Sequence, residues 1–142
     1  KDPGGKLYFT APWDYDFGFG TFEKAVKNTG MISVNKGGCT WFAALLDRQW
    51  FRDMVLARMA ELDGAFEETI DAVYAKAQVL KPYADENAYF WDMYGKHYHG
   101  YVDRQVSSYL YSYDEHVSFL ADWSTQRWQN MKDFIKTHQP QG

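Results

Sequence analysis

The sequence predicts a mainly α protein, with a small N-terminal β-hairpin remnant followed by a bundle of four to five helices. Three observations carry this. From Thr40 onward, apolar residues recur at spacings of three and four, the period of a helix with one buried face. Before that, Lys6-Leu7-Tyr8-Phe9-Thr10 is rich in strand-forming residues and follows the turn-like Lys1-Asp2-Pro3-Gly4-Gly5. Between the two lies a stretch with Gly30, Gly37 and Gly38 that reads as loop. The organisation is one partial domain, with a hairpin over 1–20, a loop over 21–39 and a helical region over 40–138. A hairpin turn at residues 1–6 needs a strand before it, so the partner strands are expected upstream.

Composition narrows the class. A chain of 142 residues suits one domain, and 46% hydrophobic with 24% charged residues is a globular balance. Six Trp, 11 Tyr and 10 Phe exceed what a small core holds, so some are expected at an interface or ligand surface. The formal charge of -4 argues against nucleic acid as a partner. No apolar run approaches the ~20 residues of a membrane span. Cys39 is the single cysteine, which excludes an intramolecular disulfide, and it reads as a small buried residue.

The elements follow in order. Residues 22–26 suit a short turn of helix, and Met31-Ile32-Ser33-Val34 a short extended piece. Residues 40–46 form a short apolar helix capped by Thr40. Asp47 caps a second helix, which carries Trp50, Phe51, Met54, Val55, Met59 and Leu62 on one face and stops at Gly64. A third helix covers about 66–81 and ends near Pro82. A fourth spans roughly 84–94, with Ala88, Trp91 and Tyr94 inward. Residues 95–100 form a loop, and a short helix covers 102–110. The last helix runs from about Ser112 to Thr137. Trp50, Trp91, Trp123 and Trp128 are expected in the core.

The chemistry concentrates in Trp13-Asp14-Tyr15-Asp16-Phe17-Gly18-Phe19-Gly20. If this stretch is extended, alternation puts Asp14 and Asp16 on one face and the aromatics on the other. Two carboxylates so placed suit a hard cation such as Mg²⁺. The competing reading is a solvated turn, where Asp, Gly and Pro are common. Asp16-Phe17-Gly18 also spells the magnesium-holding triplet of protein kinases. Elsewhere, His97, His99 and Asp103 could meet a metal but sit in a glycine-flanked loop that favours solvent or aromatic packing. Asp85 and Glu86 suit a helix N-terminus. Asn87 is either solvated or an interior polar contact. Arg127, between Trp123 and Trp128, is expected to stack on an indole or pair with a carboxylate. Tyr98, Tyr101, Tyr109, Tyr111 and Tyr113 form either an interface or a sugar-stacking platform.

The order of these features resembles the spore-coat CotH kinase-like family. Gly5-Lys6-Leu7-Tyr8-Phe9 and then Pro12-Trp13-Asp14-Tyr15-Asp16 match its acidic segment. Trp41-Phe42, Leu45-Leu46, Trp50-Phe51-Arg52 and Arg58 match the start of its helical region. Asn87 and Trp91 fit the middle, and Trp123 with Arg127 the last helix. The resemblance implies the C-terminal lobe of an atypical kinase-like fold. It implies phosphoryl transfer from ATP to protein Ser/Thr with Mg²⁺ or Mn²⁺, with Asp14 and the adjacent Asp16 as metal ligands. The nucleotide-covering lobe and catalytic residues would lie upstream, so this chain alone is expected to be inactive. Implied partners are a protein substrate or coat protein and the missing lobe, on the outside, surface or spore coat of a bacterium. Strand edges within 6–19 would permit a dimer. The alternative is a non-catalytic scaffold that binds a protein or glycan through its aromatic surface.

Overall fold

The computed structural model describes residues 4–5, 19, 40–96 and 109–139. Among these, three helices make up almost the whole: α1 (Thr40–Leu46), α2 (Gln49–Trp91) and α3 (Tyr113–Thr137). The mainly helical class holds. The expected hairpin and its edges, the loop over 21–39 and the His97/His99 segment lie outside the described residues. So does the expected helix over 102–110, except Tyr109 and Leu110, which are not helical.

Two expectations about the first turns change. Asp47 does not cap α2. The N-cap is Arg48, in an extended conformation with no side-chain cap bond. The Asp47 carboxylate instead lies 2.9 Å from His138 Nε2, just beyond α3. Arg52, which is not among the residues of the apolar face read for this helix, is buried. Its guanidinium donates to the Leu46 carbonyl and to Gln49 Oε1. One of the carbonyls left open at the end of α1 is thereby satisfied, and the buried charge is solvated by protein oxygens.

The larger correction is α2. The sequence suggests three helices broken at Gly64 and Pro82, whereas α2 is one helix of 43 residues with Pro82 inside it. At 1.5 Å per residue it is roughly 65 Å long. Gly64 is a stop only if it adopts the left-handed conformation, and it does not. Among the described residues, positive φ occurs at Gly4, Asp92 and Gly95. Tertiary contacts span both breakers. Phe66 stacks on Trp128 of α3 at 4.8 Å, and Lys81 Nζ reaches Asp114 of α3 at 2.9 Å. Local propensity of about 1 kcal/mol for Gly and 3 for Pro is outweighed by continuous packing. The helix ends where Asp92 turns left-handed at φ 47° and its N–H bonds Ala88 O at 2.7 Å. Gly95 then has φ 70°, and a Cβ there would sit 2.7 Å from the Tyr111 ring. Gly95 N–H bonds Leu110 O, which closes the turn.

α3 begins as its sequence suggests. Ser112 Oγ accepts from Glu115 N–H, and the Glu115 carboxylate accepts from Ser112 N–H, a capping box. Asp114 and Glu115 in the first turn and Lys136 in the last suit the helix dipole. α3 returns antiparallel along α2. Asp114 meets Lys81, Trp128 meets Asp63, and His138 meets Asp47. The core centres on Leu46, Met59 and Ile135, with Phe51, Val55, Leu56, Trp128 and Phe134 against it.

Trp123 is buried as expected, at 8% exposure, but Trp50 and Trp91 are 60% and 74% exposed. A two-helix hairpin with one short third helix buries a narrower stripe than a four- or five-helix bundle. Trp50 lies one position, about 100°, round from the inward Phe51. Among the described residues, no helix is long and apolar enough to cross a membrane.

Candidate functional site

Asp14 and Asp16 lie outside the described residues. Phe19, three positions after Asp16 in the sequence, is described. Its ring meets Trp123 edge-on, with centroids 6.5 Å apart and planes at 66°. Trp123 and Trp128 are five positions apart, so they point roughly 140° apart round α3. Trp128 faces α2. Trp123 faces a second side, and Phe19 sits there.

Arg127 is one turn on from Trp123. Its guanidinium carbon lies 5.9 Å from the Trp123 ring centroid, within cation–π range. Half-burial lowers its pKa from the usual arginine value. Trp123 Nε1 is buried and has no hydrogen-bond partner. A buried unmet donor costs about 1–3 kcal/mol.

Asn87 is exposed and donates to Met93 Sδ at 3.2 Å, so it makes no interior contact. It shares a shallow cleft of about 260 Å³ with Tyr94, Tyr113 and His116. Asp85 and Glu86 lie near the C-terminal end of α2, not at a helix start, and Asp85 pairs with Lys81 at 3.4 Å. Lys81 also pairs with Asp114, and this hydrogen bond is the main reason its pKa is raised. Of the tyrosines considered as a platform, Tyr109 and Tyr111 are exposed, whereas Tyr113 is half-buried. A groove of about 510 Å³ between α2 and α3 is lined by Val73, Ala77, Leu80, Val117, Leu120 and the half-buried His116, among others. Burial pushes the His116 pKa down, opposed by its bond with the Leu110 backbone and the charge of Glu115.

Periodicity missed one polar cluster. Asp63 Oδ1 accepts from Trp128 Nε1 at 2.6 Å and from Lys132 Nζ at 2.7 Å. Trp128 and Lys132 are four apart, so both reach the same point. The signal in sequence was that i,i+4 pair of donors, but nothing local names Asp63 as their acceptor. The Lys132 hydrogen bond, then that of Trp128, holds the Asp63 carboxyl below its ordinary value. A depressed carboxylate contributes stability above its unfolded pKa of about 3.9, and loses it as pH falls through the folded value. The urea midpoint of the wild-type chain should therefore drop below about pH 4, and Asp63→Asn should drop less steeply. Equal slopes in both proteins would show that the pair adds nothing to acid sensitivity.

Among the described residues, no group of three or more His, Cys, Asp or Glu is placed to hold a metal. A metal reading therefore rests on the acidic stretch. The chain matches the CotH kinase protein family over residues 1–131, which takes in the acidic stretch, α1, α2 and most of α3. Comparison with curated proteins and with solved structures gave no match. With all but the last 11 residues inside the match, the chain belongs to the CotH kinase family.

Proposed function

We propose that this chain is the C-terminal, helical portion of a CotH-type kinase domain. In it, Asp14 and Asp16 hold Mg²⁺ or Mn²⁺ against the phosphates of ATP, for transfer to a Ser or Thr hydroxyl of a protein. The observation that carries this reading is that one family match spans the acidic pair and the helices together. The donor chemistry fits: two carboxylates at alternate positions are hard oxygen ligands of the type these cations take. A bound cation would neutralise charge on the phosphates, the larger part of what a phosphoryl-transfer site supplies. Phe19 is three residues after Asp16 and is seated on Trp123.

The nucleotide-covering lobe, the phosphate-binding Lys and the hydroxyl-orienting Asp belong, in this reading, to sequence upstream of Lys1. A protein of the spore coat or cell surface is the proposed substrate. In a protein that carries both parts, Asp14→Ala should abolish ATP turnover and leave the melting midpoint within a degree or two of wild type. Unchanged turnover would sink the assignment.

One observation favours a second reading. Val79, Tyr83, Phe90 and Trp91 are each more than three-fifths exposed on the C-terminal half of α2. An exposed patch of this kind, three of its four residues aromatic, suits a protein-binding scaffold. Under that reading Asp14→Ala changes nothing measurable, whereas Trp91→Ala weakens partner capture.

A further inference from the structure

The C-terminal half of α2 carries an uncovered seam. Ala72, Lys76, Val79, Tyr83, Glu86 and Phe90 follow one another at spacings of four, three, four, three and four, the heptad pattern of a coiled coil. All six are exposed, and Val79, Tyr83 and Phe90 are each more than three-fifths so. The seam faces away from α3. Ala77 is buried and Lys81 reaches Asp114 of α3, and both point roughly 120–160° round the helix from Val79 and Tyr83. Lys76 and Glu86 form no ion pair with any described residue. They cannot pair with each other in one chain, because ten residues of helix hold them roughly 15 Å apart along the axis.

The six positions complement themselves in one arrangement. In a second copy laid antiparallel, with the two-fold axis level with Lys81, residues equally far either side of position 81 face each other. Val79 then faces the second copy's Tyr83, Ala72 faces its Phe90, and Lys76 faces its Glu86. Each pair occurs twice. A small side chain opposes a ring at the ends, an aliphatic one opposes a ring at the centre, and the cation of the seam opposes its anion. A parallel pair would set Lys76 on Lys76 and Glu86 on Glu86. A slip of one heptad in the antiparallel pair separates the charges, setting Lys76 against Val79 in one direction and beyond the end of α2 in the other. The charges therefore select orientation and register, as polar seam residues do in coiled coils.

We infer that α2 pairs with α2 of a second copy of this chain through this seam, as an antiparallel two-fold dimer. The inference does not rest on the kinase reading, and it gives the exposed patch of the second reading a partner. The seam is about 28 Å long. Its area is at the small end of specific interfaces, so association falls in the micromolar range.

Sedimentation equilibrium of the full chain reads this. The average mass should rise with concentration from 16.6 kDa toward twice that value. Lys76→Glu and Glu86→Lys should each weaken the dimer by about tenfold or more, since like charges then meet at both ends of the seam. The chain carrying both changes should regain wild-type association. So should an equimolar mixture of the two single variants, in which every facing pair is again of opposite sign. Both positions are exposed, and an unchanged helix signal in circular dichroism shows that each variant folds. A wild-type chain that stays at 16.6 kDa up to about 1 mM overturns the inference. The exposed face then belongs to another protein, and partner capture by Trp91→Ala still decides that reading. A dimer equally tight in both single variants also overturns it, because the contact then lies elsewhere on the chain. A dimer weakened by each single change and not regained on exchange overturns the antiparallel register, and the inference with it.

Discussion

Trp123→Ala lowers the stability of the chain by about 3–5 kcal/mol, the usual cost of truncating a large buried aromatic. Trp123 is 8% exposed. An indole buries 150–250 Å², which at about 25 cal/mol per Å² gives a value of the same size. The effect is packing and the Arg127 contact over the ring, with no hydrogen bond in it, because the Trp123 N–H has no partner to lose. Trp128 differs: its truncation would also strip a hydrogen bond from Asp63. Urea unfolding measures the Trp123 effect, and a midpoint that does not move would show the residue is exposed in solution. The edge-on contact with Phe19 can be separated from the rest. A double-mutant cycle with Phe19→Ala should give a coupling of about 0.5–1.5 kcal/mol. Zero coupling would show that the Phe19 contact adds nothing to the seating of Trp123.

What could be read from the sequence was what local signals decide. The span of α1 and the start of α3 were legible, the latter because Ser112 and Glu115 sit three apart and cap each other without help from elsewhere. The nearness of Arg127 to Trp123 was legible because four residues are one helical turn. The interior of α2 was not. Gly64 and Pro82 are local punctuation, and contacts 33 to 69 residues away overrule them. The same distance hid Asp63, whose partners lie on the other helix. Trp50 and Trp91 were misplaced for a related reason. Apolar periodicity marks residues able to be buried, but the number of neighbouring helices decides how much of the stripe is covered. For the acidic pair, the residue types named the ligand chemistry. Spacing alone could not separate a metal site from a solvated turn, and the family match is what favours the former.

Pro82→Ala should raise stability by about 2 kcal/mol. A proline in a helix interior costs roughly 3 kcal/mol relative to alanine, through a lost N–H bond to the residue four back and a clash with its carbonyl. Here that residue is Gln78. Part of the gain is returned, about 0.4–1 kcal/mol, because alanine frees the unfolded chain. Position 82 is exposed, so an alanine meets no packing constraint. Lys81 beside it is held by Asp114 and Asp85, and on this account that contact does not depend on the proline. The competing account is that the ring's distortion of α2 is what brings Lys81 onto Asp114. The two accounts separate in a Lys81→Ala background. A purely local backbone cost gives the same gain from Pro82→Ala there as in the wild type. A proline that serves the Lys81 contact gives no gain, or a loss, with Lys81 present and recovers the full gain only once Lys81 is removed. In that case the break in the sequence would be a device for aligning the two long helices.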